Sequence, residues 1–172
     1  INNKVTIGGQ FKIIPSFFYD YNPNDSRRDI TVVPYKVVKS TVDSKMEQSL
    51  SSGIIGFNLG KWRAEWMKTP ISGTDDGVSP IVLRYADVLL MYAEADLFLG
   101  ATDGAEKLNM VRRRAFGQPV NSASPYDLPL TLNNIKKERA LEFCGENIRK
   151  YDLERWGELK SGIDKAKANL TA

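Results

Sequence analysis

The segment from Arg84 to Gly100, Arg-Tyr-Ala-Asp-Val-Leu-Leu-Met-Tyr-Ala-Glu-Ala-Asp-Leu-Phe-Leu-Gly, constrains the fold more than any other stretch of the chain. Leu83, Ala86, Leu90, Ala93 and Leu97 recur at alternating steps of three and four, which puts them on one face of a helix. Val82, Val88, Leu89 and Phe98 widen the apolar surface beyond one stripe, so the pattern predicts a helix buried on most sides. Arg84, Asp87 and Glu94 fall along one narrow line of that same helix. Charges on a buried helix are costly unless paired, so partners for them must come from neighbouring elements.

The chain after this segment is helical and well punctuated. Ser79 is expected to cap the first helix, with Pro80 at its first position, where a missing N–H costs nothing. Gly100 is placed to end it in a left-handed conformation. Asp103, with Glu106 three residues on, reads as a capping box that starts a second helix bearing Leu108, Val111 and Ala115, and Gly117 ends that helix. The two make an antiparallel hairpin close to the ~34 residues of a tetratricopeptide unit. Gln118 to Leu130, with three prolines, reads as a loop. Thr131 is the next cap, Ile135 to Cys144 the next helix, and Ile148 to Lys160 a further helical segment after a turn. Each hairpin needs a neighbour to bury its face.

Residues 1–79 have a different texture. Short β-type runs, Lys4 to Ile7, Gln10 to Ile14 and Thr31 to Lys39, alternate with Gly, Pro and Asn clusters, and Pro34 confines its run to a sheet edge or bulge. Phe17-Phe18-Tyr19-Asp20-Tyr21 leads into the turn Asn22-Pro23-Asn24-Asp25, Lys45 to Leu50 reads as a helical turn, and Pro70 to Pro80 is a loop at the boundary. The expected architecture is mainly α: tetratricopeptide-like helical hairpins over residues 80–172, with an irregular, short-strand-containing region, residues 1–79, packed on them.

Several function classes are disfavoured at once. The chain has no histidine, which removes Ser-His-Asp chemistry and most zinc sites, so no metal site is expected. Cys144, the single cysteine, sits in an apolar helical context and is expected to be a buried structural thiol. The net charge of +3 is scattered apart from Arg112-Arg113-Arg114, and three consecutive helical residues point in different directions. That is no nucleic-acid footprint. No run approaches the ~18 apolar residues of a membrane span. Glu138 with Glu142, and Asp75 with Asp76, are the carboxylate pairs a glycosidase would need. The first pair looks committed to arginine and the second lies in a turn, and nothing local pushes their pKa values apart, so no catalytic residue is expected.

Three segments carry a family resemblance. They are Arg84-Tyr85-Ala86-Asp87-Val88-Leu89-Leu90-Met91-Tyr92-Ala93-Glu94-Ala95, then Leu108-Asn109-Met110-Val111-Arg112-Arg113-Arg114-Ala115, then Ile135 to Glu146 continuing through Asn147-Ile148-Arg149-Lys150-Tyr151-Asp152-Leu153-Glu154-Arg155-Trp156-Gly157. In that order and at those separations they resemble the SusD/RagB family, surface glycan-binding lipoproteins of Bacteroidetes-type bacteria. Asp25-Ser26-Arg27-Arg28-Asp29 and Lys61-Trp62-Arg63 are weaker echoes. The chain departs from the family pattern at Gly145, usually aromatic, at Asn147, usually glycine, and at Ile148, commonly histidine. Asparagine best tolerates a left-handed turn among the other residues, so a helix break at 145–147 is still encoded.

The resemblance implies a carboxy-terminal portion of a longer, non-catalytic protein that is lipid-anchored at the outward face of the outer membrane. Such a protein binds an oligo- or polysaccharide and delivers it to a TonB-dependent, SusC-like transporter, touching the membrane only through an anchor outside this chain and using no cofactor or nucleic acid. The competing expectation is a helical-repeat module that binds a protein or peptide and has no carbohydrate role.

The charged motif residues read as structural. Glu138, Glu142, Glu146 and Arg149 share one face, Asp152 and Arg155 repeat the pairing, and Arg112, Arg114, Arg139 or Arg149 is expected to neutralise Asp87 or Glu94 across helices. With Arg84 these form the expected ion-pair network. Tyr19, Tyr21, Trp62 and Trp66 lie in irregular polar surroundings and are the candidates for stacking on sugar faces, unless they merely cover the strand-rich part.

Overall fold

The computed structural model of the chain describes residues 4–7, 12–40, 42–43, 45–50, 57–61 and 81–171. Among them are seven helices and five short strands. The fold is mainly α. Two compact units are present, one drawn from Ile1–Asp20, Arg28–Pro80 and Lys160–Ala172, the other from Tyr21–Arg27 and Ile81–Leu159.

The first unit holds the strands. β1 (Lys4–Ile7) and β4 (Met46–Leu50) flank β3 (Tyr35–Ser40) in an antiparallel sheet, with Val5 opposite Lys39 and Val38 opposite Glu47. β2 (Val32–Val33) pairs with β5 (Asn58–Leu59) in a second sheet. Pro34 lies between β2 and β3, where the chain passes from one sheet to the other and a missing N–H removes no ladder bond. Lys45 to Leu50 is not the expected helical turn: β3 offers it a five-residue edge, and non-local pairing overrides a weak local pattern. Of Gln10 to Ile14, Gln10 and Phe11 lie outside the described residues, and Lys12 forms an isolated bridge to Asn58. The aromatic cluster lies mostly in α1 (Pro15–Asp20), where Phe18 stacks on Phe57 with ring centroids 5.4 Å apart. A single helical turn, α2 (Arg28–Thr31), precedes β2.

The second unit holds the hairpins. α3 (Tyr85–Leu99) starts with Arg84 as its N-terminal cap residue, and Val82 and Leu83 are exposed residues preceding the helix. Ser79 and Pro80 lie outside the described residues. Ala86, Leu89, Leu90 and Ala93 form its inner face and pack with Leu108 and Val111 of α4 (Gly104–Ala115), Ile135 of α5 (Leu132–Glu142) and Phe143. Leu90, Leu108 and Ile135 are wholly buried. The expectation that α3 is buried on most sides is not met: Tyr85, Val88, Tyr92 and Leu99 line an exposed outer side, and Phe98 is exposed as well. A helix's composition sets how much apolar surface it offers, and its neighbours set how much is covered.

Gly100 closes α3 at φ 68° as its position predicts. The start of α4 differs from expectation. Asp103 makes no side-chain cap bond; instead the Gly104 N–H donates to Asp96 Oδ2, near the end of α3, at 2.6 Å. A Cβ on Gly104 would lie 2.8 Å from that oxygen and 2.8 Å from Leu130 Cδ2. Gly104→Ala is therefore expected to cost about 1–3 kcal/mol of stability through overpacking. Urea denaturation checks this, and a neutral result would show that Asp96 and Leu130 yield freely.

Asn109 fastens the proline-rich loop, donating to the Leu128 carbonyl at 3.0 Å and accepting from the Leu128 N–H at 2.9 Å. Thr131 Oγ1 caps α5 by accepting from the Asn134 N–H. α5 then ends at Glu142, and Gly145 (φ 80°) and Asn147 (φ 60°) turn the chain into α6 (Arg149–Arg155). The single segment expected over 148–160 is broken by Gly157 at φ 69°, after which α7 (Leu159–Thr171) begins. Cys144 is half-buried.

Candidate functional site

Among the described residues, the arginine–carboxylate contacts of the second unit fall into three clusters. In the first, Glu142 receives three arginines. Its Oε1 accepts from Arg84 and Arg114, and its Oε2 accepts from Arg27 Nη1 at 2.7 Å. Arg84 also reaches the Glu142 carbonyl and holds Glu146 through two bonds, at 2.7 and 2.9 Å. Arg27 chelates Asp25 and lies 2.7 Å from Glu138 Oε1, an ionic contact that is not an aligned hydrogen bond. Glu138 Oε2 meets Arg112 at 3.1 Å. Four carboxylates thus face four guanidiniums, and the planar fork of arginine makes such multiple contacts possible.

The second cluster ties α3 to α5 and α6. Arg139 donates to Asp87 Oδ1 and to Asp152 Oδ2, each at 2.7 Å. Arg155 binds Asp152 Oδ1 at 3.0 Å and grips Glu94 with both terminal nitrogens, while the Trp156 indole N–H donates to Glu94 at 2.8 Å. The ring of Phe143 lies between the two clusters, with the guanidinium carbons of Arg84 and Arg139 at 4.5 and 5.0 Å from its centroid. In the third cluster, Arg113 holds Glu106 and Asp127.

These contacts decide the protonation states. Burial alone would raise the Glu142 pKa, yet the charges of Arg27, Arg114 and Arg84 hold it at about 2. Burial likewise opposes ionisation of Glu94, and the bonds from Arg155 and Trp156 overcome it and lower its pKa. A glycosidase acid needs the opposite shift. Among the described residues, no three Asp, Glu, His or Cys side chains are placed to hold a metal ion.

The expected set and the observed one differ in instructive ways. Asp87 is neutralised by Arg139, but Glu94 goes to Arg155, whereas Arg112 and Arg114 go to Glu138 and Glu142. Arg149 has no carboxylate in ion-pair range among the described residues, because the turn at 145–147 carries it off the α5 face it was expected to share. Asp25, Arg27, Arg113 and Asp127 stand outside the expected network, and the Asp25-Ser26-Arg27 echo and the Arg112-Arg113-Arg114 run were the available signals for three of them. Tyr21 requires a correction as a sugar-stacking candidate: it is 3% exposed and its hydroxyl donates to the Leu141 carbonyl at 2.8 Å, so its ring has no free face. Tyr19 is 77% exposed, with its ring edge-on to Phe18. Trp62 and Trp66 lie outside the described residues.

A shallow cleft of about 470 Å³ opens beside the turn between α5 and α6, lined by Phe143, Gly145, Asn147, Arg149, Lys150 and Tyr151. Its lining has no carboxylate.

Comparison with known proteins gives a consistent result. Residues 16–172 match the SusD family. SusD-like protein P25 of Formosa agariphila is 41% identical over 125 residues, which cover 68% of this chain and 23% of that protein. SusD-like protein P38 of the same organism is 35% identical over 100 residues, 54% of this chain and 20% of that protein. Among solved structures, the surface glycan-binding protein A from Bacteroides thetaiotaomicron matches with a TM-score of 0.56 and 26% identity over 83% of this chain and 31% of its own. The same protein in complex with laminarihexaose matches with a TM-score of 0.55. The chain thus spans less than a third of the length of each of these relatives.

Proposed function

Since the chain belongs to the SusD family, we propose that it is part of a non-catalytic protein that binds glycans at the bacterial cell surface and passes them to a TonB-dependent transporter. The observation that carries the reading is the match to a glycan-binding protein solved with laminarihexaose. The chemistry of the second unit agrees with it. Glu142, which a hydrolytic role would recruit, is committed to three guanidiniums and remains ionised. In this reading the clusters hold α3, α5 and α6 as a scaffold, and ligand contacts fall to exposed groups such as Tyr19. The parent protein sits at the outward face of the outer membrane, attached by a lipid anchor, and no helix among the described residues is long and apolar enough to cross a membrane.

The competing reading, a protein- or peptide-binding helical module with no carbohydrate role, draws on the exposed apolar side of α3. Isothermal titration of the full-length protein against neutral and acidic oligosaccharides, with product analysis, separates the two. Binding without bond cleavage is the expected result. Failure to bind any glycan, together with a saturable peptide partner, would support the competing reading instead.

A further inference from the structure

The arginines around α5 and α6 are almost all committed. Arg139 and Arg155 are each ion-paired at 3.0 Å or less, whereas among the described residues Arg149 donates only to the Lys136 carbonyl, at 3.3 Å, and lies 5.8 Å from the Trp156 ring. Its neighbour Lys150 reaches Glu154 at 3.7 Å, and both partners are exposed. Such a pair contributes little and gives up its cation easily. The nearby carboxylates are engaged elsewhere, Asp152 by Arg139 and Arg155, and Glu158 by Lys136. Two cations without a strong counter-charge therefore share one concave surface with an amide, Asn147, and an exposed phenol ring, Tyr151.

Each part of this lining has a distinct use. A cation pair recognises a carboxylate or sulfate through charge-assisted hydrogen bonds. An asparagine side chain both donates and accepts, which suits a sugar hydroxyl, and an exposed aromatic ring covers an apolar sugar face. The cleft, at about 470 Å³, is within the size range of small-ligand sites. Its shallow form suits one residue of a longer chain. Partial desolvation lowers the Arg149 pKa, and the charges of Asp152 and Glu158 offset it only in part.

Resting on the glycan-binding reading, we propose that the cleft formed by Asn147, Arg149, Lys150 and Tyr151 is a subsite for a negatively charged sugar residue, carboxylated or sulfated, within an oligosaccharide. Arg149 and Lys150 hold the anion, and Tyr151 carries the ring.

The test uses the full-length protein in isothermal titration with an oligogalacturonate, a sulfated carrageenan oligosaccharide and neutral laminarihexaose, comparing wild type with Arg149→Gln/Lys150→Gln and with Tyr151→Ala. All three positions are exposed, and circular dichroism checks that the variants fold. At least one acidic oligosaccharide is expected to bind, to weaken with added salt, and to lose about tenfold or more in affinity in the double variant, the scale of a charge-assisted contact, while laminarihexaose binding is unchanged. The two acidic ligands separate carboxylate from sulfate recognition. Acidic binding that is indifferent to the double substitution overturns the subsite, as does binding of neutral glycan alone, and both outcomes leave the glycan-binding reading standing. Absence of binding to all three ligands overturns both. Preference for a poly-glutamate peptide or for phosphatidylglycerol vesicles over both acidic oligosaccharides overturns the assignment to sugar.

Discussion

Arg139→Gln is expected to lower the free energy of unfolding by about 3–5 kcal/mol, the scale of a broken buried ion pair. Arg139 is 4% exposed and bridges α3 to α6 through Asp87 and Asp152, both buried. The substitution leaves two carboxylates facing a shorter, neutral amide. Asp152 keeps Arg155, so the larger part of the penalty falls on Asp87. Lysine is no remedy, because a single ammonium on a flexible stem cannot reproduce two bonds from one planar group. Urea denaturation monitored by far-ultraviolet circular dichroism reads the loss. A change below about 1 kcal/mol, the scale of a surface pair, would mean that this contact is not structural.

Glu142→Gln is the second large expectation, and it has a pH signature. The folded-state pKa of Glu142, about 2, lies below the ordinary value of 4.5, so its stabilisation is fully present above pH 4.5 and is lost as the pH falls towards 2. At about 1.4 kcal/mol per pKa unit this amounts to about 3 kcal/mol. The variant should lose about that much near neutral pH and show a shallower decline in acid. Some acid dependence should survive, because the Glu94 pKa is depressed in the same direction. Arg84 keeps Glu146, and Arg27 keeps Asp25 and Glu138, so the fold itself is expected to persist. Parallel pH profiles in wild type and variant would contradict the assignment.

The helical unit was legible because its signals are local. Thr131, Gly100 and Gly117 each act within one turn of chain, and the apolar spacing of α3 places Ala86, Leu90, Ala93 and Leu97 on its inner face, although Leu83 lies exposed before the helix. The covered area of α3 was not legible, because burial depends on what stands opposite. The same reason explains Lys45 to Leu50, whose strand exists by pairing with β3. For the charges, the sequence identified residues that need partners and missed who supplies them. Arg155 reaches Glu94 and Arg27 reaches Glu142 across 61 and 115 positions, and no helical spacing encodes such distances. Tyr21 marks the limit for the site: its polar, turn-rich surroundings look like a surface, yet its hydroxyl finds a buried carbonyl. Arg149 marks the opposite case, a residue whose pattern looked structural and which has no carboxylate in ion-pair range among the described residues.

A double-mutant cycle over Asp87 and Arg139 in the full-length protein, with glycan affinity measured on the folded variants, tests most directly whether the charged motifs are architecture. The account predicts a coupling energy of about 2 kcal/mol or more, within the range for residues in one ion-pair network, and unchanged glycan affinity. A coupling within experimental error, with glycan binding abolished, would contradict it and return these charges to the ligand.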